Sequence, residues 1–404
     1  MKSSVFPDNV IAAATHPDPY PYYADLVANR PLFRDESLGL WVASSASAVS
    51  ATLTSEIFRV RPAHEPVPRV LDGSAAGKIF RHLIRMNDGA GHCPFNRAVA
   101  ATLASIPSAQ IEQRATHWSQ HLLQRLDLAN DIARTSELAF KLSSYVVGGL
   151  LGVADEHLDQ VSQWVGDFVR CIFWSTDTAQ IERGKVAAEK LLQLFHSTLE
   201  GSRIGNGNIL FTLEREAERA GRSDRTTIIA NGIGFLTQGY EATAGLIGNT
   251  LLRLSIDDDL RRKVAVDSNL LRESILETLR YDPPNHNTRR FVVTDGELLG
   301  QRLKCGDAIV VVLAAANRDP AANPEPDRFE LRRANRKLFT FGTGVHACSG
   351  DTVALSIVQA GVATLLRSGL NIERLRDDFI YRDSPNTRIP LFASKGEHHV
   401  RSAG

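Results

Sequence analysis

A ten-residue stretch near the C-terminus, FGTGVHACSG at 341–350, places one cysteine among glycines. Gly342 and Gly344 allow positive φ angles, so the backbone there can lie close against a flat ligand. Cys348 precedes a predicted helix over 351–366, and a helix N-terminus stabilises a thiolate. No other cysteine lies within metal-clip spacing, so the pattern suits a single sulfur ligand to a metal that another group already holds. Taken alone, Cys348 also fits a buried free cysteine in a turn.

The spacing Phe341-x-x-Gly344-x-His346-x-Cys348-x-Gly350 resembles the haem-binding loop of the cytochrome P-450 family, the haem-thiolate monooxygenases. Three further motifs, described below, fall in the order and spacing of that family, so the resemblance covers nearly the whole chain. It implies haem b with Cys348 as the axial thiolate ligand, and it implies that Phe341 and the glycine after it lie against the haem. The implied fold is mainly α with small β-sheets and has a long central helix over the haem.

The composition is that of a globular protein with balanced charge. Lys and Arg number 46 among 404 residues, as do Asp and Glu, which gives no argument for nucleic acid as a partner. Residues 1–23 carry prolines and aspartates where a signal peptide needs an apolar core. The longest glycine-free apolar run, 308–316, is far shorter than the ~20 residues that span a bilayer. We therefore expect a soluble, cytoplasmic protein with no membrane partner.

The cysteines and the absence of linkers indicate a single domain in a reducing compartment. The chain shows no internal repeat or low-complexity linker, so we expect one domain over 1–404. The four cysteines form no CxxC pair, which argues against a disulfide framework or a zinc site. They are Cys93, Cys171, Cys305 and Cys348.

Hydrophobic periodicity predicts mixed secondary structure dominated by helices. Two short strands are predicted at 32–34 and 40–43, with Gly39 in the turn between them. Apolar residues recur at intervals of three and four over 111–199, which indicates several amphipathic helices. Alternation and β-branched runs over 290–312 indicate a small sheet.

The most informative helix is predicted over 223–254. It begins with an N-cap residue and extends about 45 Å, long enough to cross the domain. Gly239 and Glu241 in its middle are unfavourable in a buried helix, the glycine through its flexibility and the carboxylate through desolvation. A local opening of the helix beside a ligand would explain both residues.

In the resembled family this place carries a small residue, Gly, any residue, an acid and Thr, and the acid and the alcohol guide protons during dioxygen activation. The sequence QGYEA at 238–242 retains the acid as Glu241. It departs from the pattern at Gln238, which replaces the small residue, and at Ala242, which replaces the alcohol.

Thr243 is the nearest hydroxyl to the missing alcohol, and it matches a second, less critical threonine of the family. Its side chain points about 100° further round the helix than Ala242, so it does not simply replace the lost hydroxyl. Two interpretations stay open, namely a role in proton relay and a bond back to a helix carbonyl.

Glu277 and Arg280 lie three residues apart on one face of a helix predicted over 270–284. Alone they would be a weak surface pair. Here they match the family's ExxR pattern and are followed by PDRF at 326–329. The resemblance implies that Arg328 completes a buried structural network with them behind the haem.

The resemblance also assigns residues to the haem propionates. His92 matches a family histidine, but the basic residue expected four positions later is Asn96, and Arg97 stands one place beyond. Arg290 aligns with the propionate-binding arginine of the strand after ExxR, in preference to the adjacent arginine, and His346 aligns with the loop residue of the same role.

The resemblance implies a haem-dependent monooxygenase acting on a small hydrophobic substrate. A cysteine thiolate on haem iron favours O–O cleavage. No GxGxxG fingerprint for a flavin or nicotinamide follows a predicted strand, so we expect a ferredoxin and its reductase as external electron donors.

Ala242 adds a more specific hypothesis, because without the alcohol proton delivery slows. An enzyme that oxidises one carbon repeatedly and then breaks a C–C bond would tolerate this loss. The segments GYEATAGLIGNT and HCPFNRAV look similar to bacterial members of gibberellin biosynthesis, which oxidise a methyl group of a carboxylated diterpenoid. This similarity is weaker than the family resemblance.

Two alternatives stay open. The chain could be a haem-thiolate enzyme that is not a monooxygenase, such as a peroxide user or an isomerase, or a monooxygenase for another small hydrophobic substrate. A peroxide user of this group is expected to carry an arginine and a proline where this chain has Glu241 and Ala242. Retention of Glu241 therefore favours dioxygen chemistry.

Overall fold

A computed structural model describes residues 6–89, 92–172, 177–202 and 208–393. Helices make up most of these ranges. They are α1 Tyr20–Asn29, α2 Ala46–Thr54, α3 Ala75–His82, α4 His92–Ala104, α5 Ser108–Arg125, α6 Thr135–Leu150, α7 Leu158–Ile172, α8 Thr178–Ser202, α9 Ile209–Arg219, α10 Arg225–Ile256, α11 Asp258–Val266, α12 Ser268–Tyr281, α13 Leu313–Asn317 and α14 Asp351–Arg367.

The strands form one five-stranded sheet and two hairpins. They are β1 Leu32–Asp35, β2 Leu40–Ala43, β3 Phe58–Arg59, β4 Thr288–Val292, β5 Gly296–Leu298, β6 Gln301–Leu303, β7 Ala308–Val311, β8 Phe379–Tyr381 and β9 Pro390–Phe392. The sheet order is β1-β2-β7-β4-β3, in which β2 and β7 are parallel and the other pairs antiparallel. β5 pairs with β6, and β8 with β9. The mainly helical fold with small sheets confirms the prediction.

The N-terminal hairpin confirms the predicted strand pair. β1 and β2 are antiparallel, and Gly39 adopts a φ of +66°, the left-handed conformation that glycine tolerates best. β2 then pairs with β7, and β7 pairs with β4, in which Arg290 lies opposite Ile309. The sheet therefore joins the N-terminal part of the chain to the strand that carries Arg290.

The long helix α10 is continuous through its middle. Asp224 caps its N-terminus by accepting hydrogen bonds from the backbone N–H groups of Thr226 and Thr227. The predicted local opening at Gly239 and Glu241 is wrong, because both residues are helical. Ser143 of α6 donates a hydrogen bond of 3.3 Å to the Gly239 carbonyl, so this turn has a partner outside its own helix.

The helical core surrounds α10 and connects it to α14. Ile247 of α10, Leu142 of α6 and Val358 of α14 are all fully buried. At Gly248 of α10 a side chain would collide with Pro390, since a Cβ there would lie 2.6 Å from the Pro390 Cγ atom. This close approach fixes the C-terminal hairpin of β8 and β9 beside α10.

Candidate active site

The cysteine loop is closed by its own backbone. Gly342 and Gly344 take φ angles of +66° and +73°, and the Cys348 N–H donates a hydrogen bond of 2.9 Å to the Phe341 carbonyl. The helix α14 begins at Asp351, three residues after Cys348 and directly after Gly350. The predicted placement of the thiol before a helix N-terminus is therefore what the structure shows.

The Cys348 thiol is surrounded largely by protein, and Cys348 nevertheless has solvent-accessible surface. Burial raises the pKa of this thiol above its usual range, which shows that protein surrounds it. Its surface is nevertheless exposed. The thiol is therefore flanked by protein and still open to a space on one side. A metal cation at the sulfur would favour the thiolate and offset the effect of burial.

The middle of α10 also has an accessible face. Gln238 is exposed, and Gly239 and Ala242 are half-buried, although the residues on either side of this stretch of α10 are almost all buried. A central helix with one accessible face borders a void. Residues 238–242, the segment aligned with the family's acid–alcohol pair, therefore lie at a cavity wall.

Two predicted propionate ligands lie together. The rings of His92 and His346 have centroids 4.4 Å apart, and His346 Nε2 lies 2.9 Å from Asp88 Oδ1. Burial lowers the pKa of His92, and the neighbouring His346 acts in the same direction. His92 is therefore disposed to be a neutral donor, whereas His346 is held in orientation by a carboxylate.

Arg290 points its charge into the interior. Its side chain is buried, and burial lowers its pKa to about 10. Its Nη1 donates to the Arg289 carbonyl at 2.8 Å. Within the part of the chain that the structure describes, Arg290 has no ion pair with a carboxylate. The charge of Asp88 offsets the effect of burial only in part, and a buried guanidinium outside an ion pair is costly, so the position favours an anionic ligand.

Arg97 and Asn96 have different surroundings from this group. The Arg97 side chain is exposed. Asn96 Nδ2 donates a bond of 3.3 Å to the Val345 carbonyl, so the residue four positions after His92 ties α4 to the cysteine loop. The structure brings His92, His346 and the loop together, and it does not bring Arg97 into that group.

Glu241 is paired by a residue that sequence reasoning missed. Arg382, immediately after β8, places Nη1 2.8 Å from Glu241 Oε1. Burial raises the pKa of Glu241, against the opposing attraction of Arg382 and Arg170. No local sequence signal marks this pair, because the C-terminal hairpin reaches α10 only in the folded chain.

Thr243 is fully buried on a different face of α10 from Gln238. A Cβ at Gly239 would lie 3.7 Å from the Thr243 hydroxyl and 3.6 Å from that of Ser143, so both hydroxyls flank the glycine. Among the described residues the Thr243 hydroxyl makes no bond back to a helix carbonyl. Its role in proton relay stays a prediction.

Glu277 and Arg280 form the centre of a buried ionic network. Both side chains are fully buried, with Arg280 Nη2 2.7 Å from Glu277 Oε1. Arg333 Nε lies 3.1 Å from the same carboxylate, and Arg336 Nε lies 2.9 Å from it. Burial by itself would raise the pKa of Glu277, but these arginines and a backbone N–H lower it overall.

The predicted membership of the Arg328 side chain in this network is wrong. That side chain is 63% exposed and lies 3.5 Å from Glu325 at the surface. Arg328 contributes its carbonyl, which accepts hydrogen bonds from Arg280 and Arg333. Arg333, five residues later, is the buried arginine that takes the place at Glu277.

The network is connected to the cysteine loop through Asn317. The Arg280 Nη1 donates to the Asn317 carbonyl at 3.4 Å. The Asn317 side chain accepts from the Phe339 N–H at 2.7 Å and donates to the Thr340 hydroxyl at 2.8 Å. Phe339 and Thr340 immediately precede the loop, so the network fixes the start of the segment that presents Cys348.

The residues around the cavity fit a haem. A thiol faces the void, cationic Arg290 and the two histidines supply donors for carboxylates, and one face of α10 lies open. A separate polar recess of about 130 Å³ contains none of the predicted site residues. It is lined by Asn130, Asp131, Ile132, Ala133, Arg374, Asp377, Asp378 and Ala393.

Comparison with known proteins gives a consistent result. The family model for Cytochrome P450 matches residues 267–368. The chain is 23% identical over 373 residues to the biotin biosynthesis cytochrome P450 of Bacillus subtilis (strain 168), covering 91% of this chain and 93% of that protein. It is 27% identical over 401 residues to the cytochrome P450 monooxygenase PikC of Streptomyces venezuelae, with 96% and 94% covered. The crystal structure of CalO2 matches with a TM-score of 0.79 at 28% identity, covering 93% of this chain and 94% of that one.

A single thiol at a helix N-terminus, a cavity beside a long helix and these relatives define one class of protein. The chain is similar to cytochrome P450s in the family-model match, in sequence over more than nine-tenths of its length and in fold. It is an oxidoreductase of the P450 monooxygenase type, and its cofactor is haem with an axial cysteine. In the described ranges, no helix is both long and apolar enough to cross a membrane.

Proposed function

We propose that this P450 inserts oxygen into a small apolar substrate that carries a carboxylate, and that the substrate is a terpenoid. The observations that carry the proposal are the accessible face of the central helix α10 at 238–242 and two interior guanidinium groups, Arg85 and Arg290, of which Arg85 lies close enough to Cys348 to affect the pKa of its thiol. An apolar wall with a few polar groups is what a small hydrophobic ligand with one charged end requires.

The chain's own residues would hold the haem from two sides. Cys348 would hold the haem iron through its sulfur, and Phe341 and Gly342 of the loop would lie against the haem. His92, His346 and Arg290 would bind the propionates, and Arg97, although exposed in the structure, is a further candidate for them. The bound haem supplies dioxygen activation for insertion of one oxygen atom into a C–H bond.

Glu241 supplies the proton-handling part of the mechanism. Its raised pKa makes this carboxylate easier to protonate than an ordinary glutamate, and Arg382 orients it through the 2.8 Å ion pair. Ala242 presents no hydroxyl, so the proton passes from Glu241 through Thr243, a water molecule or a polar group of the substrate. A slow proton step is compatible with successive oxidation of one methyl carbon followed by C–C cleavage, as in formation of a gibberellin precursor.

The same proposal includes the domain organisation of the chain, its location and its electron donors. The chain acts as one domain over 1–404 in the cytoplasm, with electrons from a ferredoxin and its reductase. The balanced charge of the chain gives no support for a nucleic-acid partner.

An optical titration of the purified ferric protein tests the substrate class. The panel contains carboxylated diterpenoids, fatty acids, steroids and aromatic acids, and entry of a substrate beside the haem changes the spin state of the iron. A tight shift with a diterpenoid acid alone would support the terpenoid proposal. The absence of a shift with diterpenoid acids would overturn it.

The competing proposal is a haem-thiolate enzyme that is not a monooxygenase. Product formation without any reductant would establish an isomerase, and turnover with hydrogen peroxide alone would establish a peroxide user. The presence of Glu241 in its ion pair, where an arginine is expected in peroxide users, favours the dioxygen reaction.

A further inference from the structure

Arg85 is a cation that lies within the fold and faces the cavity. It occupies the single-turn 3-10 helix Ile84–Met86, between α3 and α4. Burial lowers the pKa of its guanidinium, so protein surrounds it, whereas its side chain has exposed surface. The preceding Leu83 and Ile84 are buried. As with Cys348, this combination places the side chain at an internal void.

The Arg85 guanidinium lacks a counter-charge in the described ranges of the chain. It makes neither a hydrogen bond nor an ion pair there. The groups that its charge affects are Cys348, whose pKa it lowers, and Arg290, whose pKa it also lowers. Both effects require proximity. An interior guanidinium beside another one, with no carboxylate partner, is a binding site for an anion.

The segment that carries Arg85 is fixed to α10. Asn231 of α10 accepts a hydrogen bond of 2.9 Å from the Ile84 N–H and donates one of 2.9 Å to the His82 carbonyl. A Cβ at Gly234 would lie 2.9 Å from both the Leu83 side chain and Gln238 Nε2. The chain before Arg85 and the Gln238 carboxamide therefore meet on one wall, one turn from Glu241.

Arg85 lies on a different segment from the two histidines predicted to bind the propionates, although its charge reaches Arg290, which is also assigned to a propionate. His92 and His346 lie together beside the cysteine loop, and Asp88 holds His346. Arg85 instead belongs to a segment bonded to α10, the helix whose accessible face borders the cavity. We propose that the Arg85 guanidinium binds the carboxylate of the substrate and that the Gln238 carboxamide lies beside it as a second hydrogen-bond donor. This inference rests on the proposed function and adds its substrate-binding residues.

Two kinds of carboxylate could meet Arg85, that of the substrate and the propionates of the haem, and they call for different readouts. The holoenzyme is titrated optically with abietic acid, dodecanoic acid and the methyl ester of each. The variants are Arg85→Ala and Arg85→Lys. Arg81→Ala is the matched control, since Arg81 lies on α3 in the same part of the chain and pairs with Asp72 at the surface. Haem content and the absorption spectrum of the carbon monoxide complex are measured for every variant.

Wild-type protein is expected to bind at least one acid more tightly than its ester. Arg85→Ala should weaken binding of that acid by roughly 10- to 100-fold, because one charge-assisted pair is lost. The affinity for the ester should stay within about twofold of the wild-type value. Arg85→Lys should restore part of the preference for the acid over its ester, and Arg81→Ala should bind both compounds with wild-type affinity. Haem content should not change.

Three results would overturn the inference. They are the absence of any acid preference in wild type, equal loss of acid and ester binding in Arg85→Ala, and loss of haem from Arg85→Ala at unchanged acid preference, which would assign Arg85 to a propionate. A protein with no haem-thiolate spectrum even in wild type would instead contradict the proposed function. The two failures are therefore distinguishable.

Discussion

Arg382 Nη1 lies 2.8 Å from Glu241 Oε1, and both side chains are mostly shielded from solvent. The contact joins the residue after β8 to the middle of α10, the helix that borders the cavity. The carboxylate that we propose to handle protons is thereby held by the residue that follows β8. Movement of that hairpin would change both the orientation and the acidity of Glu241.

A double-mutant cycle measures the strength of this contact. Glu241→Gln, Arg382→Gln and the double variant should reveal a coupling free energy of about 1–3 kcal/mol in urea unfolding of the holoenzyme. The control is the surface pair Arg69 and Glu65, in which the arginine is 87% exposed, and its coupling should be about 0.5 kcal/mol or less. Equal coupling in both cycles would show that the interior pair is no stronger than a surface one.

Glu241 and Glu277 should give opposite pH dependences of stability. Burial raises the pKa of Glu241 despite Arg382 and Arg170, so its contribution to the free energy of unfolding is present at low pH and decreases as pH rises through the raised pKa. Burial opposes the arginines at Glu277, but its net pKa is lowered, so its contribution is present above the usual glutamate range and is lost as pH falls.

Urea unfolding from mildly acidic to neutral pH checks both signs. The stability of wild type relative to Glu241→Gln should decrease as pH rises, and its stability relative to Glu277→Gln should decrease as pH falls. Parallel curves for the two variants would contradict the assigned pKa directions.

Arg333, rather than Arg328, is expected to stabilise the network behind the cysteine loop. Arg333→Ala removes a buried partner of Glu277 and should lower the free energy of unfolding by roughly 2–4 kcal/mol. Arg328→Ala removes an exposed side chain and retains the carbonyl, so it should cost about 0.5 kcal/mol or less. Chemical denaturation and haem retention are measured for both, and a larger effect of Arg328→Ala would restore the original assignment.

Local sequence patterns predicted the helices, the strands and the cysteine loop, but they did not predict which residues distant in sequence contact each other. The spacing around Cys348 specified its loop because the glycines and the following helix are neighbours in sequence. The Arg382 contact with Glu241 depends on packing between distant segments, for which one sequence carries no signal. At Glu277 the family resemblance implied the Arg328 side chain, but Arg328 and Arg333 are chemically identical, and the fold places Arg333 there instead.

Gln238 narrows the space beside α10, where the family carries a small residue. Gln238→Ala should remove a polar group from the cavity wall and widen it, and esters of bulky diterpenoid acids should then bind more tightly than in wild type. Gln238→Glu keeps the size but adds a negative charge, so it should weaken binding of acids more than of esters. Optical titration distinguishes the two effects, and identical affinities in all three proteins would show that Gln238 lies away from the substrate.

Ala242 is the position at which the proton pathway departs from the family pattern. Ala242→Thr returns a hydroxyl one residue from Glu241, so protons should arrive faster and more of the consumed reductant should appear as product. If slow proton delivery supports C–C cleavage, the ratio of cleaved product to aldehyde should fall. Product ratios are measured by mass spectrometry with the substrate selected in the optical titration.

Thr243→Ala completes this test. The Thr243 hydroxyl is buried beside Gly239 and Ser143, on another face of the helix from position 242. If Thr243 relays protons in wild type, Thr243→Ala should lower the yield of product per reductant, and Ala242→Thr should restore it in the double variant. If water or the substrate takes that role, Thr243→Ala should leave the yield unchanged. A product ratio that Ala242→Thr does not alter would contradict the link between the missing alcohol and C–C cleavage.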